Sequence, residues 1–99
     1  MIRHVVLLTW NEGVTDDHVA TVCAGLARLP GLIPEIVGYE FGRDLGFGPA
    51  NADFAIAATF ASSADYEVYA THPEHVAVIE RDIAPIRAHR RAVQFETGG

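Results

Sequence analysis

Apolar residues alternate through positions 2–10 on both sides of an extended segment. Ile2, His4, Val6, Leu8 and Trp10 share one face, and Val5, Leu7 and Thr9 share the other. A strand apolar on both faces is covered on both faces. Thr15 then stands as a helix N-cap with Asp16 and Asp17 in the first turn. Val19, Val22, Cys23, Leu26 and Leu29 follow at helical spacing, and Pro30-Gly31 is expected to stop the helix. A second strand over 36–43 places Val37, Tyr39 and Phe41 on one face. The glycines, proline and asparagine of 44–52 predict a long connection. A third strand over 53–60 sets Phe54, Ile56, Ala58 and Phe60 against Ala55, Ala57 and Thr59. Ser62 and Asp65 suggest a capping box for a short helix, which Pro73 ends or redirects. Val76, Ile79, Ile83 and Ile86 continue at helical spacing towards Pro85. A last strand is expected over 91–96, with Val93 and Phe95 on one side.

The order β-α-β-β-α-α-β predicts an α+β, ferredoxin-like domain: an antiparallel sheet with helices on one face and the second helix split. The helices leave the other face of the first strand bare. A second copy of the sheet would cover it and give a twofold homodimer. One domain over 1–97 accounts for the chain, with a frayed tail at its end (98–99, together with Thr97).

Composition narrows the function classes. The 99 residues carry a net charge of −6, which disfavours nucleic acid and an anionic membrane surface. All seven cationic side chains are arginine, so Schiff-base lysine chemistry is excluded. No apolar run reaches the ~20 residues of a membrane span. No secretory leader is read ahead of the first strand, and the cytoplasm is the expected compartment. The single cysteine, Cys23, lies in the apolar stripe of the first helix and reads as a small buried hydrophobe. No serine-nucleophile or phosphate-loop motif occurs.

The chemistry gathers in Tyr69-Ala70-Thr71-His72-Pro73-Glu74-His75, which holds two of the five histidines. His75 titrates near neutrality and can serve as a base beside a donor such as Tyr69. It can equally cap the second helix, and Tyr69 can equally plug the core. His4, between Ile2 and Val6, reads as a core histidine that bonds a neighbour and orients a base. His72, ahead of the proline, reads as a locally packed residue. His18 and His89 fall on polar faces, and Arg87, Arg90 and Arg91 read as a solvated rim. Zinc on His4, His72 and His75 lacks a carboxylate or thiolate aimed at the same point, and no metal or other cofactor is expected.

The His-Val-Val-Leu opening, Leu-Pro-Gly-Leu-Ile-Pro at 29–34, Phe-Gly-Arg-Asp at 41–44 and Tyr-x-x-His-Pro-x-His at 69–75 resemble the stress-responsive dimeric α/β-barrel (Dabb) family. The resemblance spans nearly the whole chain, and the His-Pro-x-His element is its most specific part. It implies a barrel-like dimer of two ferredoxin-like sheets, with a pocket between sheet and helices in each protomer. Some plant relatives are polyketide cyclases that close a poly-β-keto thioester by cofactor-free aldol condensation. Carried over from that branch, His4, Tyr69 and His75 are the catalytic candidates, with His75 as base and Tyr69 bonding a carbonyl. Leu26 stands where that branch has a further pocket tyrosine, so a more apolar pocket is implied. Leu26, Trp10, His72 and Phe54 are then the candidate substrate-contacting residues. Two readings follow: a cofactor-free enzyme acting on a small apolar carbonyl compound, or a non-enzymatic dimeric stress or ligand-binding protein. Convergence of His75 and Tyr69 on an open cavity separates them.

Overall fold

Helix and strand signals place four strands and one layer of helices in a computed structural model that describes residues 1–98. The order is β1 (Ile2–Trp10), α1 (Asp16–Leu32), β2 (Ile36–Arg43), β3 (Phe54–Phe60), α2 (Ser63–Thr71), α3 (Pro73–Val78) and β4 (Arg87–Glu96). A π-helical turn over Ile79–Ile83 continues α3. The sheet order is β2-β3-β1-β4, with every neighbouring pair antiparallel. This is the expected ferredoxin-like α+β arrangement, and the two-sided strand β1 is central in it.

Both cap residues start their helices, but the box expected of Ser62 and Asp65 forms only on its Ser62 side. The Thr15 hydroxyl accepts the His18 N–H, and His18 Nδ1 accepts the Thr15 N–H, which closes a capping box. His18, read as a solvated residue, is exposed and also a cap. The Ser62 hydroxyl accepts the Asp65 N–H and starts α2. Between α2 and α3 His72 is extended, at φ −64° and ψ 132°, because proline follows it. That single extended residue turns the chain and lets His72 Nδ1 accept the Glu74 N–H.

The expected helix stop at Pro30-Gly31 is wrong by two residues, since α1 runs through Pro30 to Leu32. Proline removes only one ladder bond so close to a C-terminus, and the Ile33 N–H still reaches the Leu29 carbonyl. Val37 does not share a face with Tyr39 and Phe41. A bulge lies between Ile36 and Gly38, so Ile36 packs on the core while Val37 is 55% exposed. The last strand starts at Arg87, not at 91. Its polar first half shows no hydrophobic alternation, yet its backbone pairs with β1 from Trp10 onward. Cys23 is half-buried against the core. The Thr97 N–H is held by the Met1 carbonyl, Gly98 is exposed, and Gly99 lies outside the described residues.

The core forms between the helices and one sheet face, where Leu8, Leu26, Phe54 and Phe60 are buried. Gly25 permits the close approach of α1 to the end of α3 and the π turn that continues it. A Cβ there would stand 3.0 Å from Asp82 Oδ2 and 3.2 Å from Val78 Cγ1. The opposite sheet face is bare and apolar: Leu7, Val93 and Phe95 are 43%, 55% and 50% exposed. No helix is long and apolar enough to cross a membrane among the described residues.

Candidate active site

Strand parity sends His4, Val6 and Leu8 to the helix side, where with Ile56 they floor a cavity of about 60 Å³. Leu26 of α1 forms one wall. Tyr69, His75, Ile79 and Ile83 close it from above, and Arg87 and Arg90 line it from β4. The π turn keeps both Ile79 and Ile83 on this lining, with the Ala84 N–H reaching back to the Ile79 carbonyl. The space suits a group of a few heavy atoms. A larger groove of about 540 Å³ lies elsewhere, along the 42–55 segment of the sheet. Its polar members Asp44 and Asn51 are bonded to each other, and no histidine or tyrosine enters it.

The turn at His72 stacks Tyr69 on His75, with ring centroids 4.0 Å apart and planes at 31°. His4 meets the Tyr69 ring edge-on at 6.2 Å and the Tyr66 ring at 5.0 Å. Three of the sequence candidates are thus brought together, and Leu26 joins them. Trp10 and Phe54 are not on this lining; they pack on each other with centroids 5.5 Å apart. His72 is also absent from it and is occupied in capping α3. Among the described residues no three His, Cys, Asp or Glu side chains gather as a metal site.

Hydrogen bonds assign each imidazole a tautomer. His75 Nδ1 lies 3.2 Å from the Ala70 carbonyl, which only accepts, so Nδ1 carries the proton and Nε2 keeps its lone pair. Gln94 Nε2 lies 2.8 Å from His4 Nδ1, and an amide nitrogen only donates. His4 Nδ1 therefore accepts, and its Nε2 carries the proton. Burial holds the pKa of His4 down to about 4, helped by the charges of Arg90 and His75. Burial also lowers His75, although its backbone bond to Ala70 opposes the shift. Both rings are neutral at pH 7, one as a proton acceptor and the other as a donor. The Tyr69 hydroxyl lies 2.9 Å from that of Tyr39. Burial pushes both phenols up, Tyr39 to about 12, so both stay protonated.

Sequence reasoning missed Tyr39, Gln94, Arg87 and Arg90. Tyr39 and Gln94 each sit on the helix-side parity of their strands, which is the one signal that could have flagged them. Arg90 shares the strand parity of Gln94, whereas Arg87 follows from a strand irregularity that no local pattern reports.

Residues 2–97 match the stress responsive A/B barrel domain. The chain belongs to that family. The stress-response A/B barrel domain-containing protein HS1 of Arabidopsis thaliana is 26% identical over 77 residues, covering 76% of this chain and 71% of that protein. A crystal structure of a dimeric ferredoxin-like protein of unknown function from Thermobifida fusca is 44% identical, with a TM-score of 0.90 over 97% of this chain and 90% of that one. A hydroxynitrile lyase from Passiflora edulis shares the fold at 21% identity, with a TM-score of 0.81 over 95% of this chain and 90% of that one. The dimeric state of the Thermobifida relative supports a homodimer for this A/B barrel chain.

Proposed function

We propose that this chain is a cofactor-free enzyme that takes a proton from a small, largely apolar carbonyl compound, in a cyclase, aldol or lyase step, with His75 as base. The observation that carries this reading is the complementary pair of neutral imidazoles in one cavity. His75 Nε2 takes the proton from the carbon beside the carbonyl. The electron pair of that C–H bond moves into a new carbon–carbon double bond, and the carbonyl π pair moves onto oxygen. The resulting enolate oxygen accepts a hydrogen bond from His4 Nε2–H, and the protonated Tyr69 hydroxyl is a second donor near it. The stack on Tyr69 and the Ala70 bond hold the base ring in place. The fold likeness to a hydroxynitrile lyase is consistent with a lyase step and says nothing of this chain's substrate.

The proposed assembly is a twofold dimer through the bare sheet face carrying Val5 and Leu7. The non-enzymatic reading draws on a different observation, the cavity of only about 60 Å³, which suits a structural or small-ligand role.

The test is deuterium uptake at the α-carbons of butanone in D2O, followed by proton NMR. Wild-type protein should exceed buffer, and His75→Ala should return the rate to the buffer value. No acceleration by wild type, or full acceleration by His75→Ala, would remove the enzymatic reading.

A further inference from the structure

Arg87 and Arg90 are three residues apart on a strand, a spacing that normally points side chains to opposite faces. They nevertheless line the same cavity. The register explains it. Thr9 pairs with His89 and Trp10 pairs with Arg87, so Ala88 is an extra residue and the strand bulges there. The bulge swings Arg87 to the helix side, where Arg90 already lies opposite Leu8. Arg91 remains on the open face beside Val5 and Leu7.

Among the described residues no acidic side chain lines this cavity. The ion pair found among the described residues, Arg81 with Asp82, lies on the π turn and uses neither β4 arginine. Two arginines therefore line one cavity, and neither has an ion-pair partner among the described residues, in a chain with thirteen acidic residues and seven arginines. Arg87 is half-buried and Arg90 exposed, while His4 and Tyr69 are buried behind them. The exposed Arg90 thus stands at the mouth and His4 deepest, with Arg87 and His75 half-buried between them. Arg90 is close enough for its charge to favour the neutral form of both His4 and His75.

We infer that the cavity takes a short-chain oxo acid, with its carboxylate held at the mouth by Arg87 and Arg90 and its apolar acyl end inside against His75. The inference deepens the proton-transfer reading and rests on it. A carboxylate accepts the paired N–H donors of a guanidinium in one plane. A compact monoanion fits the inner volume of about 60 Å³ when only a carbonyl and a methyl group enter it. The same cations would stabilise negative charge spreading onto the enolate.

The experiment is a titration of wild type with 3-oxobutanoate and with its uncharged methyl ester, read by amide NMR shifts at low and high salt. The acid should bind at least tenfold tighter than the ester, and salt should weaken the acid alone. Arg90→Gln and Arg87→Gln should each remove most of that preference and leave ester binding unchanged, while Arg91→Gln on the other face changes neither. Equal affinity for acid and ester would overturn the inference. So would an Arg91→Gln loss as large as that of Arg90→Gln, or inorganic phosphate competing as well as the oxo acid. His75→Ala separates this inference from the reading beneath it. That variant should keep the acid preference and lose deuterium exchange. Exchange that survives in it overturns the base assignment, and the carboxylate preference stands or falls by the arginine variants.

Discussion

The two faces of one sheet have opposite fates in this molecule. Towards the helices, β1 presents His4, Val6 and Leu8, and all three are buried. Away from them it presents Val5 and Leu7, which meet no helix. Both faces carry apolar side chains, yet only the first has an imidazole and a phenol buried against it, His4 and Tyr69. The imidazoles work there because helices exclude water, which keeps them neutral and makes each hydrogen bond strongly orienting. The bare face has area without chemistry, and a second sheet is the partner that suits it. Assembly and chemistry are thus divided between successive residues of a single strand.

Breaking the bare face should have the largest effect. Leu7→Arg puts a second cation beside Arg91 in the middle of the proposed interface, and burying two like charges there without a partner is strongly unfavourable. Sedimentation at micromolar concentration should show dimeric wild type and a folded monomeric variant. A variant that stays dimeric would mean that this face is not the interface.

The helix-side counterpart is His75→Ala. It should leave sedimentation and circular dichroism unchanged while lowering α-proton exchange by about 100-fold or more, the usual range for loss of a general base. With the His75 pKa lowered, wild-type exchange should hold constant from pH 8 to below 6.5 before it falls. A decline already beginning at pH 7.5 would mean that the base is some other group.

Stability against pH probes the same burial. His4 has a folded pKa of about 4 and an ordinary value of 6.5 when unfolded. The unfolded chain therefore takes up the proton first. Its contribution is fully present above pH 6.5 and is lost as pH falls towards 4, and His75 acts in the same direction. Urea unfolding should show a loss on the order of 2 kcal/mol across that window. The loss should be smaller in His4→Gln, and an identical slope in that variant would exclude His4 as its source.

The mildest change sharpens the donor side. Gln94→Leu removes the amide that holds His4 Nδ1 as an acceptor. Nitrogen-15 NMR should show His4 shifting to a mixture of tautomers, with exchange activity reduced several-fold. An unaltered tautomer would mean that other contacts orient His4.

Local pattern carries much of this structure. The period-two alternation of β1 and β3, the caps at Thr15 and Ser62, and the turn imposed by Pro73 are all properties of neighbouring residues. Parity alone puts His4 under the helices, and the proline turn alone brings His75 back towards Tyr69. The motif at 69–75 points to the same group of residues.

The remainder depends on pairings between distant parts of the chain. Gln94 meets His4 across 90 residues, and Tyr39 meets Tyr69 across 30. Each becomes a partner only when strands and helices dock, so no local window contains the bond. The bulges near Val37 and Ala88 arise where one strand has a residue more than its partner, a mismatch that exists only between two strands. The second bulge changes which face Arg87 occupies and turns a polar run into the mouth of a cavity. Sequence by itself determined the elements, their buried faces and the histidine–tyrosine motif, because those follow from local sterics and hydrophobic period. Tertiary structure alone decided the tautomers, the neutral state of the imidazoles and the convergence of the arginines, because these depend on burial and on long-range partners.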